Sequence, residues 1–525
     1  MRVQTAVSAR PQIRFPKWIV AAGVVFLLFA AGIVYLTLHW PFTEAAVIQS
    51  LAEASSSKVE IGSFRPIYFP NPGCVAKSVV FHYGSRTDIP PLITIQQVTM
   101  QSSFLGMLRK HVKRMKIDGL QIFIPRTSNK KFSSKTEAVI DELTTSNASL
   151  KFETQTAGKP KDFEIHDSEL RNVGGIGGMP FHVRLSNPEP PGEIDASGSF
   201  GPWLVGHGER TKVSGKYTFE RADLSVFKGI AGMLSSNGTF DGTLEHIRVQ
   251  GSIDTQDFTV TSSRHRTELK SQFAAVVNAK RGGDVTLERV TSQLRKTEIV
   301  ADGTVMGQGE DPGKTATLDF YSRNGRIQDL LLLFITDERA PMSGVTNLRA
   351  RVVLPPGKRP FLKKVRLVGD FGIDAGKFTT PAIQKDADKL SAEARDQKDS
   401  DPSTVLSNLR GHVEVKDGTA TFADLGFGIP GAEAKMHGTY ELVSHKIDLH
   451  GTLKMDSSLS NLAHGPKALI LVLLDPFFKR KPKGSEVPVK ITGTYEHPSF
   501  GLDLQGKKKS KIGKRLERMC RTPRE

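Results

Sequence analysis

Few residues in this chain have the type and spacing that chemistry requires. Gly313-Lys314-Thr315 is the tail of a phosphate-binding loop, in which backbone N–H groups cradle phosphates and the lysine neutralises them. That motif needs another glycine five residues earlier, and the position is Gln308. Gly174-Gly175-Ile176-Gly177-Gly178 has the glycine content of a dinucleotide cradle, but Pro180 follows and no long helix opens there. A flexible turn is expected instead. No H-E-x-x-H, G-x-S-x-G or EF-hand spacing occurs. The 14 histidines are scattered, none adjacent or four apart. His265, between Arg264 and Arg266, reads as a solvated loop residue, and His166-Asp167 with Glu169 reads as an exposed strand edge in preference to a metal site. Cys74 and Cys520 are the two cysteines, and without C-x-x-C they build neither a zinc site nor a dithiol redox centre. No catalytic, cofactor-binding or metal-binding residue is assigned, and no cofactor or enzymatic activity is expected.

The elements available to position side chains are of two kinds. From Trp18 to Trp40 the chain runs WIVAAGVVFLLFAAGIVYLTLHW, with no charged side chain until Glu44. About 20 apolar residues at ~1.5 Å rise cover a ~30 Å hydrocarbon core, so this run predicts a transmembrane helix. Trp18, Tyr35 and Trp40 suit its two interfaces. Arg2, Arg10, Arg14 and Lys17 before it, against Glu44 and Glu53 after it, predict a cytoplasmic N-terminus and a body on the far side. Ala30-Ala31-Gly32 also resembles a signal-peptide cleavage site, but apolar sequence continues through Leu36, which favours an uncleaved anchor.

Beyond the anchor, Pro41 to Ser57 has helical spacing of Ala45, Ala46, Ile48, Leu51 and Ala52. The period then changes to two, as in Val59-Glu60-Ile61, Ile93-Thr94-Ile95, Val413-Glu414-Val415 and Ala432 to Met436. Alternation of this kind gives a sheet one apolar and one polar face. A recurring unit places Gly, then Ser, Thr or Lys, then a large apolar residue, as in Gly215-Lys216-Tyr217, Gly238-Thr239-Phe240 and Gly438-Thr439-Tyr440. Strands are expected to end or restart at these glycines. The strands continue for most of the chain with hardly any helix, so an elongated, curled antiparallel sheet whose apolar face forms a groove fits better than a set of closed barrels. About 30 strands at ~4.8 Å would make it ~140 Å long at most.

Net charge is +17, and Lys507 to Arg524 together with the segment before the anchor supply twelve of those charges. The body is only mildly basic, so no nucleic-acid partner is expected. The expected divisions are a cytoplasmic basic tail at 1–17, the transmembrane helix at 18–40, an α+β segment at 41–125, a β-rich body at 126–505 and a basic tail at 506–525. Residues 386–403 are polar and predict a loop or disordered excursion. Ala468 to Leu474 is too short to span a bilayer and reads either as a buried helix plugging the sheet or as a helix at a membrane interface. The basic tail reads either as a solvated terminus or as a patch for anionic lipid.

Several stretches carry a resemblance: Phe219 to Val260, Gly282 to Leu294, Arg326 to Phe334, Leu354 to Phe361, Gly369 to Gln384, Leu425 to Asp456 and Leu474 to Leu504. With the N-terminal anchor they cover most of the chain, and in them it resembles the AsmA-like family of bacterial envelope proteins. That resemblance implies an inner-membrane anchor, a periplasmic repeating-β-groove body, and a role in outer-membrane biogenesis or phospholipid traffic. It is similar in this to bridge-like lipid-transfer proteins. The implied partners are a phospholipid or other acyl lipid, the inner membrane and an outer-membrane protein. A non-enzymatic assembly or scaffold factor for outer-membrane proteins is the alternative function.

Overall fold

The computed structural model describes residues 40–503 apart from 41, 56, 83–90, 110, 125–138, 153–160, 176, 203, 205–206, 228, 262, 264, 280–282, 308–312, 358, 380, 382–383, 385–387, 389–406, 431, 456–485 and 495–496. The apolar run before Trp40, the Ala468 to Leu474 run and the basic tails lie outside the described residues, as does 386–403 apart from Asp388. Among the described residues no helix is long and apolar enough to cross a membrane.

The helical spacing after Pro41 becomes α1 (Glu44–Ser55). It is followed by β1 (Val59–Ile67), β2 (Gly73–Phe81) and β3 (Ile93–Gln101), then α2 (Phe104–Leu108) and β4 (His111–Ile124). Next come β5 (Val139–Phe152), β6 (Lys161–Val173), β7 (Met179–Pro188), β8 (Pro191–Phe200) and β9 (Lys212–Asp223). The two-residue β10 (Ile230–Ala231) precedes β11 (Met233–Thr243), β12 (His246–Val260), β13 (Thr267–Asn278) and β14 (Asp284–Leu294). Then follow β15 (Thr297–Gly307), β16 (Lys314–Arg326), α3 (Ile327–Leu331), β17 (Met342–Leu354), α4 (Phe361–Lys364) and β18 (Arg366–Phe378). The last six strands are β19 (Ser407–Lys416), β20 (Thr419–Ile429), β21 (Ala432–Glu441), β22 (Lys446–Met455), β23 (Glu486–Thr494) and β24 (Pro498–Leu502).

Save for β10, which pairs with β12, every strand hydrogen-bonds to the next in sequence, so one open sheet runs from β1 to β24. Among the described residues the sheet has 24 strands, fewer than the length estimate assumed. The in-line strands span ~100 Å at ~4.8 Å each. It is also not wholly antiparallel. β4 and β5 pair in parallel, with His111 opposite Val139 and Ile124 opposite Phe152. A parallel pair needs a crossover of about a dozen residues, and residues 125–138 lie between these two strands. The 125/126 boundary falls there, yet pairing continues through it.

Tight turns explain how so many strands follow one another. Asp417-Gly418 joins β19 to β20 with φ of 51° and 84°, the left-handed pair that a two-residue hairpin requires. Asp329 at the start of α3 is buried and accepts from the Lys296 N–H at 3.2 Å and the Thr297 hydroxyl at 2.9 Å. This pins α3 over the β14–β15 turn.

The best-formed core lies under α1. Phe42, Val47, Val59, Val79, Phe81 and Ile95 are buried together, with Ile48, Leu51 and Ala52 of α1 packed against them. The helix thus covers the apolar face of the first strands. A smaller cluster, Val365, Val415 and Ala420, gathers beside α4.

Candidate functional site: the apolar face of the sheet

Cross-strand register decides which side chains share a face. Phe240, Val249, Ala275, Leu287, Gly303 and Leu318 stand opposite one another from β11 to β16. Val352, Leu367, Val415, Ala420, Tyr440 and Ile447 continue that row from β17 to β22. No member is charged. Residues an odd number of steps along each strand face the other way: Asp241 and Arg248 are opposite each other, as are Asp319 and Arg351, and Asp370 and His412. One face is therefore apolar along this row of twelve strands and eleven consecutive pairings, and the other carries the charges.

The glycine repeat has a role that spacing alone did not show. Gly215, Gly238, Gly251, Gly438 and Gly451 lie inside strands, not at their ends. In β9 and β11 the repeats are reciprocal: Gly215 is opposite Phe240, and Tyr217 is opposite Gly238. Each ring lies over the bare backbone of the facing glycine. A Cβ on Gly215 would stand 2.8 Å from the Phe240 ring, and one on Gly238 would stand 3.0 Å from the Tyr217 ring. Phe371 covers Gly411 in the same manner. Aromatic rings thus lie flat along the face where their width would otherwise crowd neighbouring strands.

This face is not sealed. Contacts between the described elements are chiefly those of neighbouring strands, with α1 on β1, α2 on β4 and α3 on β17. Phe240, Val249, Leu287, Leu318, Val352 and Leu367 remain half-buried in consequence. In a sandwich such a row would be fully covered.

On the polar face, ion pairs and hydrogen bonds link adjacent strands. Arg351 holds Asp319 through two bonds of 2.8 Å, which depresses the carboxyl below its usual range. Arg184 does the same to Asp167. His412 is raised by its 2.8 Å bond to Asp370, and His450 by its 2.9 Å bond to Asp503 and then by Asp448. Protonated imidazoles are favoured there, so their contribution to stability is complete below the ordinary histidine value and is lost as pH rises through the raised one. These pairs are exposed, and their energetic effect is small.

The residues singled out for chemistry fall in ordinary places. His166 is not on a sheet edge: β6 is flanked by β5 and β7, and the imidazole bonds Ser186 at 2.8 Å and Glu193 at 3.1 Å. Asp167 pairs with Arg184 and Glu169 with Arg171. His265 is half-buried, with Nε2 2.8 Å from the Asp337 carbonyl in an exposed contact. Gly313-Lys314-Thr315 opens a strand, and Lys314 pairs with Asp284 at 3.4 Å. Gly174 and Gly175 lie in the β6–β7 turn, as expected.

Cys74 sits in the core under α1, where burial pushes its thiol up to about 11. Stability conferred by the neutral thiol is present below the ordinary thiol value and falls as pH rises toward 11. In a Cys520→Ser chain at pH 8, alkylation of Cys74 is expected to be roughly 100-fold slower than in denaturant. Equal rates by mass spectrometry would contradict the packing.

What this arrangement offers is an extended surface for apolar groups, backed by a solvated polar one. No protein-family model, curated protein or solved structure matches the chain.

Proposed function

We propose that this is a membrane-anchored bacterial envelope protein that binds phospholipid acyl chains along the apolar face of its sheet. The observation that carries the proposal is the uncharged row from Phe240 to Ile447, half-exposed apart from the buried Ala275, Val415 and Ala420. Acyl chains laid on it would leave water together with the row, while headgroups stayed solvated at the rim. The AsmA-like resemblance supports the periplasmic location, the inner-membrane anchor and a part in outer-membrane biogenesis.

Two features support a curled trough over a flat sheet. Gly229, between β9 and β11, lies against Phe361 of α4, between β17 and β18. Six strand spacings of ~4.8 Å would hold them ~29 Å apart on a plane, and a coiled sheet would bring them together. Further, α1 covers the apolar face of β1, β2 and β3, so a trough of this kind would be closed at that end. Strand addition to an assembly client is less well supported: β24 has five residues, and Pro66 within β1 has no N–H to offer an added strand.

The test is the lipid content of the full chain purified in mild detergent. Bound phospholipid exceeding the protein in molar amount is expected by mass spectrometry of the extract. A lipid-free preparation that takes up none from vesicles would end this reading.

A further inference from the structure

The start of the described chain is bound to an exposed apolar patch. Trp40 directly follows the apolar run from Trp18 and packs its ring 4.8 Å from Tyr68 in the β1–β2 connection. Tyr68 is 58% exposed, and Phe69 beside it 82%. The neighbouring α2 adds Phe104 and Leu105, the latter 71% exposed, while Met107 of the same helix packs against the core. The two segments form one unit. Gly73 pairs with Gln101, the Ser102 N–H donates to the Pro72 carbonyl at 2.7 Å, and the buried Ser102 hydroxyl donates to the His111 carbonyl. Ser103 caps α2 by accepting from the Gly106 N–H at 3.0 Å.

Charge around this patch is one-sided. From Ile61 to Ile117 the chain has eight Lys or Arg and a single acidic residue, Asp88. Arg65, Arg109 and Lys113 are exposed and have no ion-pair partner among the described residues. Exposed aromatic and aliphatic groups on the same strands and turns as exposed cations match an anionic membrane interface, where rings sit among headgroups and cations meet phosphates.

We infer that Tyr68, Phe69, Phe104 and Leu105, together with Arg65, Arg109 and Lys113, dock onto the anionic phospholipid surface of the membrane that holds the N-terminal run. The inference rests on the anchored reading, because Trp40 ties the patch to the point where that run ends. Docking would fix the first strands at the bilayer surface, leaving no swivel between anchor and sheet.

The experiment uses the full chain with Cys520→Ser, in which Cys74 is buried, carrying Phe69→Cys, Leu105→Cys, Val443→Cys or Leu27→Cys labelled with bimane. The chains are reconstituted into vesicles of phosphatidylglycerol and acyl-brominated phosphatidylcholine. Val443 is a remote residue 58% exposed, and so controls for apolar exposure alone. Quenching at 69 and 105 is expected to be at least ~2-fold stronger than at 443, and to fall when phosphatidylglycerol is left out. Quenching at 27 but not at 69 or 105 would overturn docking and leave the anchor standing. No quenching at 27 would overturn both. Strong quenching at 69 and 105 that ignores phosphatidylglycerol would remove the cations from the inference. None of these outcomes depends on whether the sheet carries lipid.

Discussion

Val249→Asp should strip phospholipid from the protein, while Gln250→Asp, one residue further on, should leave the lipid in place. Val249 stands between Phe240 and Ala275 on the apolar face, and Gln250 between Thr239 and Ala274 on the other. A carboxylate placed among acyl chains must be desolvated or neutralised, at a cost of several kcal/mol. Because Val249 is only half-buried in the protein itself, the charge keeps water when lipid is absent and the fold tolerates it. Bound phospholipid per chain, measured by extraction and mass spectrometry, is expected to fall ~10-fold or more, a change that ~1.4 kcal/mol already produces. Gln250→Asp adds the same charge two faces apart, so it separates a lining effect from a general effect of charge. Equal loss in both variants, or in neither, would show that the row from Phe240 to Ile447 does not hold lipid.

The other large effect is expected at Gly238. Gly238→Val puts a branched side chain where a Cβ would meet the Gln250 carbonyl oxygen, stand 2.9 Å from the Gly251 Cα and 3.0 Å from the Tyr217 ring. Backbone atoms on two strands would have to move, unlike the end of a flexible side chain. Overpacking of this kind costs about 3 kcal/mol. At ~1.4 kcal/mol per decade, amides of β9, β11 and β12 should exchange ~100-fold faster when measured by hydrogen exchange. Gly372→Ala is the comparison, since its Cβ would meet nothing nearer than the Arg410 side chain at 3.7 Å. It should change exchange rates little. If Gly238→Val were as mild, the aromatic-over-glycine pairing would not be what holds these strands in register.

Face assignment was largely legible in the residues, because a period of two is a local property. Val413, Val415, Ala432, Ala434 and Met436 all point where alternation places them. Alternation failed wherever the backbone slips by a residue. Asn147, with φ of 53°, separates Thr145 from Ala148 on one face of β5, and Gly119, with φ of 65°, does the same between Ile117 and Leu120 in β4. The paired strands slip at the same step, since the register does not shift there, so no single segment announces the change. The helix after Pro41 was legible for the same local reason, but not its packing onto Val59, Val79 and Phe81.

What the sequence by itself determined is the material: an uncharged run able to cross a bilayer, alternating strands with one apolar face, turns such as Asp417-Gly418, and the absence of familiar catalytic motifs. Each of these depends on residues close together in the chain. Only the tertiary structure decided that β4 and β5 run parallel, that glycines and rings pair reciprocally across β9 and β11, and that Gly229 meets Phe361. It also set Trp40 against Tyr68 and joined the Tyr68-Phe69 connection to the segment leading into Leu105. These are relations between distant residues, set by register and by accumulated twist over many strands. Neither quantity is encoded in any one strand, which is why the apolar face could be foreseen and its neighbours could not.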